Sequence, residues 1–83
     1  MKVKIELERE TDGRWIAEAR SMGVLLYGAT RRDAVERAKQ ATFAALAGSI
    51  LSGEERAPRS VVFEVTVAGK HNGLAKLLEV FSP

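Results

Sequence analysis

The first 30 residues alternate between apolar and charged positions in a way that predicts short strands. Val3, Ile5 and Leu7 alternate with lysine and glutamate, and this period of two is typical of a strand with one buried and one wet face. Asp12-Gly13 predicts a hairpin turn, because aspartate tolerates and glycine prefers the positive φ angles of tight turns. We therefore expect the chain to return antiparallel to the first strand.

The returning strand places one large side chain beside two small ones. Trp15, Ala17 and Ala19 share a face, and this leaves room for an element packed across it. A glycine interrupts the strand, and residues 24–27 predict a third strand that ends at Gly28. A helix lying on the sheet is the expected cover for this face.

A capping signal follows the third strand. The Thr30 hydroxyl can accept from an orphan amide, and Asp33 favours the positive helix end. We expect the helix to begin at Arg31 and to stop at Ser52-Gly53. Its expected inward stripe consists of Ala34, Val35, Ala38, Ala41, Thr42, Ala45 and Leu46. The charged residues expected opposite this stripe are Arg31, Arg32, Asp33, Glu36, Arg37 and Lys39.

The second half of the helix, residues 41–51, has no charged residue on any side. A helix that is apolar all round is normally covered all round, and one small sheet covers one side only. We therefore expect a second subunit, or the chain's own tail, to contact this half. A homodimer is the default assembly. The residues assigned to this interface are Phe43, Ala47, Leu51, Leu74 and Leu78.

The clearest alternation in the chain lies at residues 61–67, which predict a fourth strand beside the first. Residues 69–73 predict a loop, and the leucines and phenylalanine that follow predict a short amphipathic helix at about 73–81. The expected fold class is α+β, with a β-β-β-α-β order, an antiparallel sheet and one long helix packed on it. All 83 residues form a single domain whose core covers residues 2–68.

Composition narrows the possible functions. The chain has no cysteine and one histidine, which disfavours disulfides, thiolate metal sites and imidazole cages. Thirteen Lys and Arg against eleven Asp and Glu give a charge of +2, too small and too evenly mixed for a dedicated nucleic-acid surface. No apolar run reaches the roughly 18 residues that span a bilayer. We expect a cytoplasmic protein with no membrane contact and no direct nucleic-acid binding.

No group of residues predicts catalysis or a cofactor. The sequence holds no recognisable nucleophile–base pair, metal cage or phosphate cradle, so we expect no enzyme, no cofactor and no metal. His71 lies in a glycine- and asparagine-containing loop, where a solvated histidine is favoured over a catalytic one. Four acids can in principle gather around a metal, but the lysine and arginine among them favour an ordinary polar sheet face. These acids are Glu6, Glu8, Asp12 and Glu18.

An ordered set of residues resembles the HicB-like antitoxin family over roughly residues 2–68. The set is Asp12-Gly13-x-Trp15-x-Ala17, Gly23-Val24, Gly28-x-Thr30 and Asp33-Ala34. The resemblance implies a β-β-β-α-β domain, described as a partial ribonuclease H-like fold. It also implies that the protein neutralises a HicA-type toxin, a small basic ribonuclease, by covering its active surface.

Two departures from the family pattern affect this expectation. Residues 19–23 contain neither the proline nor the acid that family members usually place before the third strand. After Val67 the sequence has no segment resembling the DNA-binding domain of longer members, so we expect no promoter binding by this chain.

The resemblance predicts an antitoxin that acts sterically and electrostatically. Glu6, Glu8 and Glu18 would face the cationic surface of the toxin, and Trp15 or Tyr27 would supply an apolar anchor. One alternative is a stand-alone homo-oligomeric domain with a scaffold or ligand-binding role and no toxin partner. A metal-dependent nuclease is a third reading, disfavoured because no carboxylate cluster is recognisable.

Overall fold

A computed structural model of the chain describes residues 1–68 in full and the backbone of residues 76–81. Its elements, in chain order, are β1 (Lys2–Arg9), β2 (Trp15–Ala19), β3 (Val24–Gly28), α1 (Arg31–Leu51), β4 (Val61–Val67) and β5 (Lys76–Phe81). One turn of 3₁₀ helix, Arg20–Met22, joins β2 to β3. The α+β class is confirmed, and so is the β-β-β-α-β order as far as β4.

The strands form one sheet in the order β3-β2-β1-β4-β5. As predicted, β4 lies beside β1, but the two strands are parallel, while the other neighbouring pairs are antiparallel. The prediction of a purely antiparallel sheet is therefore wrong. The reason is that α1 carries the chain back along the sheet before β4 begins, so that β4 runs in the same direction as β1.

The prediction of a tail helix is wrong for residues 76–81, which form β5. This strand pairs antiparallel with β4, with Phe81 opposite Val61 and Lys76 opposite Thr66. This pairing supplies hydrogen-bond partners for the backbone groups along the otherwise free edge of β4. The valine and phenylalanine of β5 are also good strand formers. Residues 73–75, the remainder of the predicted helix, lie outside the described residues.

The core lies between α1 and one face of the sheet. The strands contribute the buried residues Val3, Ile5, Leu7, Ala17, Ala19, Val24, Val61, Phe63 and Val65, and the helix contributes Ala34, Val35, Ala38 and Leu46. Ala41 and Ala45 of the predicted stripe are half-buried. The many alanines at this contact allow α1 to approach the sheet closely.

Lys39 was predicted to lie on the charged side of α1, and this is wrong because the residue is buried. Its Nζ lies 3.2 Å from a carboxylate oxygen of Glu36 and 5.9 Å from the ring centroid of Phe63. The long aliphatic stem of lysine can cover an aromatic ring while the ammonium group keeps a charged partner.

Both ends of α1 match the sequence signals. The helix begins at Arg31, and the Thr30 hydroxyl accepts a hydrogen bond from the Asp33 amide at 3.1 Å. The helix ends at Leu51, and Gly53 follows with a φ of 81°. This is the left-handed conformation that glycine tolerates after a helix.

Candidate protein-binding face of the sheet

The sheet has one face covered by α1 and one face that no described helix covers. Because side chains alternate along a strand, residues adjacent to core positions point to the uncovered side. We call this side the open face. It consists of Lys2, Lys4, Glu6 and Glu8 of β1, Ile16 and Glu18 of β2, Leu25 and Tyr27 of β3, and Val62, Glu64 and Thr66 of β4.

Three of the predicted binding residues form an acidic group at the centre of the open face. Glu6 lies directly opposite Glu18 in the β1–β2 pairing, and Glu8 is two residues further along β1. Arg20 pairs with Glu18, with Nε 3.3 Å from Oε1. Glu6 and Glu8 form no ion pair within residues 1–68. Like charges directly opposite each other are unfavourable for a sheet, so a cationic group placed beside Glu6 and Glu18 would relieve their repulsion.

An apolar border lies beside the acids. Tyr27 is opposite Ile16 and Leu25 is opposite Glu18 in the β2–β3 pairing. Leu25 is 47% exposed and Tyr27 is 39% exposed. The Arg14 guanidinium carbon lies 4.6 Å from the Tyr27 ring centroid, which holds the ring in place through a cation–π contact. Tyr27, one of the two predicted anchors, therefore shares a face with the acids.

The opposite flank of the open face carries a compensated charge. Lys2 Nζ lies 3.0 Å from an oxygen of Glu64, which is itself largely buried. Lys4 is opposite Glu64 in the parallel β1–β4 pairing. The acidic side chains of the open face other than Glu64 therefore lie over the second half of β1 and over β2, next to the apolar border.

Trp15, the other predicted anchor, lies on the helix side of the sheet. It is half-buried and packs against the core. The guanidinium carbons of Arg31 and Arg9 lie 5.0 and 5.9 Å from its ring centroid. The structure thus separates Trp15 from the acidic group by the thickness of the sheet.

The second half of α1 exposes apolar residues in the described part of the chain. Leu51 is 88% exposed, and Ala47 is also exposed. Phe43 makes an edge-to-face contact with Phe63, with centroids 5.5 Å apart. Leu74 and His71 lie outside the described residues. Leu78 lies in β5, and its side chain is likewise outside them.

Within the described residues, no three histidine, aspartate or glutamate side chains come together as metal ligands. Asp12, one of the four acids considered for a metal, instead binds its own turn. The Arg14 amide donates to Asp12 Oδ1 at 3.0 Å and Arg14 Nε donates to Oδ2 at 2.8 Å. The backbone hydrogen bond, reinforced by the guanidinium, lowers the pKa of Asp12 below its ordinary value. No described helix meets the length and hydropathy that a membrane span requires.

Ile16 and Leu25 also belong to the open face, and neither was among the predicted binding residues. The alternation along β2 could have predicted the position of Ile16, because Ile16 is out of phase with the buried Ala17 and Ala19. For Leu25 the signal was absent, because residues 24–27 are apolar or aromatic throughout, and such a run does not indicate which side chains face the core.

Comparison of the chain with models of protein families, with curated proteins and with solved structures finds no match. The resemblance to HicB-like antitoxins rests on the residues quoted for it above.

Proposed function

We propose that this protein is a HicB-like antitoxin that binds a small basic ribonuclease of the HicA type and blocks its access to RNA. The observation that carries the proposal is the joint placement of Glu6, Glu8 and Glu18 on an open sheet face beside the exposed Leu25 and Tyr27. Exposed apolar side chains next to charged ones are a common arrangement in protein interfaces, although here the acids lie at the centre of the face and the apolar residues at its edge. The partial ribonuclease H-like description of the fold belongs to the same proposal.

The proposed mechanism is steric and electrostatic, and this chain makes or breaks no covalent bond. The acids attract the cationic RNA-binding surface of the toxin and so increase the rate of association. The Tyr27 ring and its apolar neighbours then slow dissociation, because apolar contacts that exclude water dominate the lifetime of a complex. RNA is excluded because the toxin's cationic surface is already occupied.

The first experiment is calorimetry with a purified cognate ribonuclease, together with an RNA-cleavage assay. We expect binding at micromolar concentration or below and loss of cleavage at equimolar antitoxin. Absence of binding at micromolar concentration would overturn the proposal for that pair.

A charge-matched pair of double variants tests the surface itself. Glu6→Gln with Glu18→Gln removes two charges from the open face, while Glu54→Gln with Glu55→Gln removes two exposed charges after α1. The first variant is expected to lower the association rate about tenfold at low salt, and the difference should shrink as salt screens the field. The second should leave the rate close to that of the unaltered protein. Equal effects of both variants would place the interface elsewhere.

A homo-oligomeric domain without a toxin partner is the second candidate, favoured by the exposed apolar residues of α1. Leu51 is 88% exposed, and exposed apolar patches often mark protein contacts. The two candidates differ in the neighbouring gene, since a short basic reading frame beside this one supports the antitoxin. Light scattering of the isolated protein tests the second candidate, and a monomer at high concentration would contradict it.

A further inference from the structure

Strand β3 is the outermost strand on its side of the described sheet. One edge of it pairs with β2, from Val24 opposite Ala19 to Gly28 opposite Trp15. Its other edge pairs with no strand of the described residues. Backbone groups along such an edge can accept a strand from another molecule.

The sequence of β3 lacks the features that normally prevent this pairing. Val24–Gly28 contains no charged residue and no proline, whereas exposed edges usually carry lysine, proline or an inward-pointing charge. The contrast lies within the same sheet, because β5 at the opposite edge contains Lys76 and Glu79. The two large side chains of the open face in β3, Leu25 and Tyr27, are also substantially exposed.

We infer that β3 pairs with β3 of a second copy of this chain, antiparallel and about a two-fold axis at Leu26. This is the antiparallel register in which all five residues of the strand find a partner. It places Leu25 opposite Tyr27 of the second copy, and Val24 opposite Gly28 of the second copy. A second copy is the occupant that the strand fits because β3 is uncharged, so self-pairing opposes no like charges within the strand, and a two-fold contact satisfies both edges at once.

The pairing joins two five-stranded sheets into one continuous sheet. The apolar borders of the two open faces meet at the axis. The paired Leu25 and Tyr27 side chains cover part of each other's flanks there, while their outer sides remain on the joined open face. Because the strand has only five residues, we expect weak self-association, with a dissociation constant in the micromolar range. The inference requires no toxin, and it uses a surface separate from the exposed side of α1.

The first test is sedimentation velocity over a range of protein concentrations. The unaltered protein is expected to form dimers as concentration rises. Leu25→Lys combined with Tyr27→Lys would place introduced lysines directly opposite each other across the axis, so the dimer dissociation constant should rise about tenfold or more. Ser52→Lys combined with Ala57→Lys, at exposed positions beyond α1, adds the same charge as a matched control and should leave dimerisation unchanged. Circular dichroism checks that each variant remains folded.

The second test uses disulfide cross-linking, which the absence of native cysteine makes clean. Directly opposed residues of antiparallel strands have Cα atoms about 4.5–5.5 Å apart, within disulfide range. Leu25→Cys and Tyr27→Cys proteins are each expected to cross-link poorly alone and to form a disulfide heterodimer when mixed. A protein that stays monomeric, a mixture without heterodimer, or cross-linking confined to a Leu51→Cys control would overturn the inference.

Discussion

The backbone of Gly28 lies directly against Ala34 at the start of α1. A Cβ atom added to Gly28 would overlap the Ala34 amide and lie 2.8 Å from the Ala34 Cα. The end of β3 and the first turn of α1 therefore meet at a distance that only glycine permits. This contact fixes the start of α1 against the end of β3.

Gly28→Ala should destabilise the protein, because either the strand or the helix must shift to admit the methyl group. Overpacking of this kind costs about 1–3 kcal/mol of unfolding free energy. Gly48→Ala is the matched control, because nothing lies within 4 Å of a Cβ at that helical position. It should stabilise by about 0.5–1 kcal/mol through helix propensity. Urea unfolding measures both, and equal responses would contradict the role given to Gly28.

Thr42→Val should increase stability. Thr42 is fully buried in α1, and its hydroxyl has no hydrogen-bond partner among the described residues. Valine keeps the shape and removes an unsatisfied polar group whose burial costs about 1–3 kcal/mol. The comparison is Thr42→Ser, which keeps the hydroxyl, removes a methyl group and should destabilise. Thermal unfolding that ranks serine above valine would disprove this account of the site.

Thr30→Ala should lower the free energy of unfolding by about 1 kcal/mol. The Asp33 amide now donates a hydrogen bond to the Thr30 hydroxyl at 3.1 Å, and alanine offers no acceptor in its place. Thr30→Ser retains the hydroxyl and should remain close to the unaltered protein. Chemical denaturation followed by far-ultraviolet circular dichroism provides the measurement. A similar loss of stability in both variants would mean that the methyl group of Thr30, and not its hydroxyl cap, stabilises the protein.

The Asp12 turn should weaken in acid. The pKa of Asp12 is lowered from the ordinary value of 3.8, chiefly by the hydrogen bond from the Arg14 amide and further by the Arg14 guanidinium. The folded state therefore favours the carboxylate. The stabilisation is therefore fully present above the unfolded pKa and is lost as the pH falls through the folded pKa. The difference in Tm between the unaltered protein and Asp12→Asn should be constant above about pH 5 and shrink below about pH 4. Carboxyl NMR should place the Asp12 midpoint below 3.8, and a midpoint above that value would be contrary to expectation.

Most of the fold was predictable because its signals are local. Alternation identified β1 and β4, the Asp12-Gly13 turn identified the hairpin, and Thr30 identified the start of α1. The errors concern long-range contacts. Residues 76–81 are a strand because β4 offers a free edge, and the parallel direction of β4 depends on where α1 delivers the chain. The buried Lys39 has its ammonium group 5.9 Å from the ring of Phe63, which lies 24 residues further along the sequence.

The candidate site was predictable to the extent that it follows alternation. Glu6, Glu8 and Glu18 are out of phase with the core residues of their strands, and the structure places all three on the open face. The same alternation assigns Trp15 to the face of Ala17 and Ala19, where it lies. The apolar border with Tyr27 depended on the pairing of β2 with β3, which sequence spacing alone does not define.

Alternate residues of β1 and β2 point to opposite faces of the sheet. Substitutions at the odd-numbered positions of these strands act on folding, and substitutions at the even-numbered positions act on the open face. Evolution can therefore change the binding partner by replacing the even-numbered residues of these strands while the hydrophobic core is preserved. Loss or gain of a single residue within β2 would instead exchange the two sets, turning Glu18 inward and alanine outward. Natural variants of this protein are thus expected to drift by replacement within these strands and to vary in length only in the connections between them.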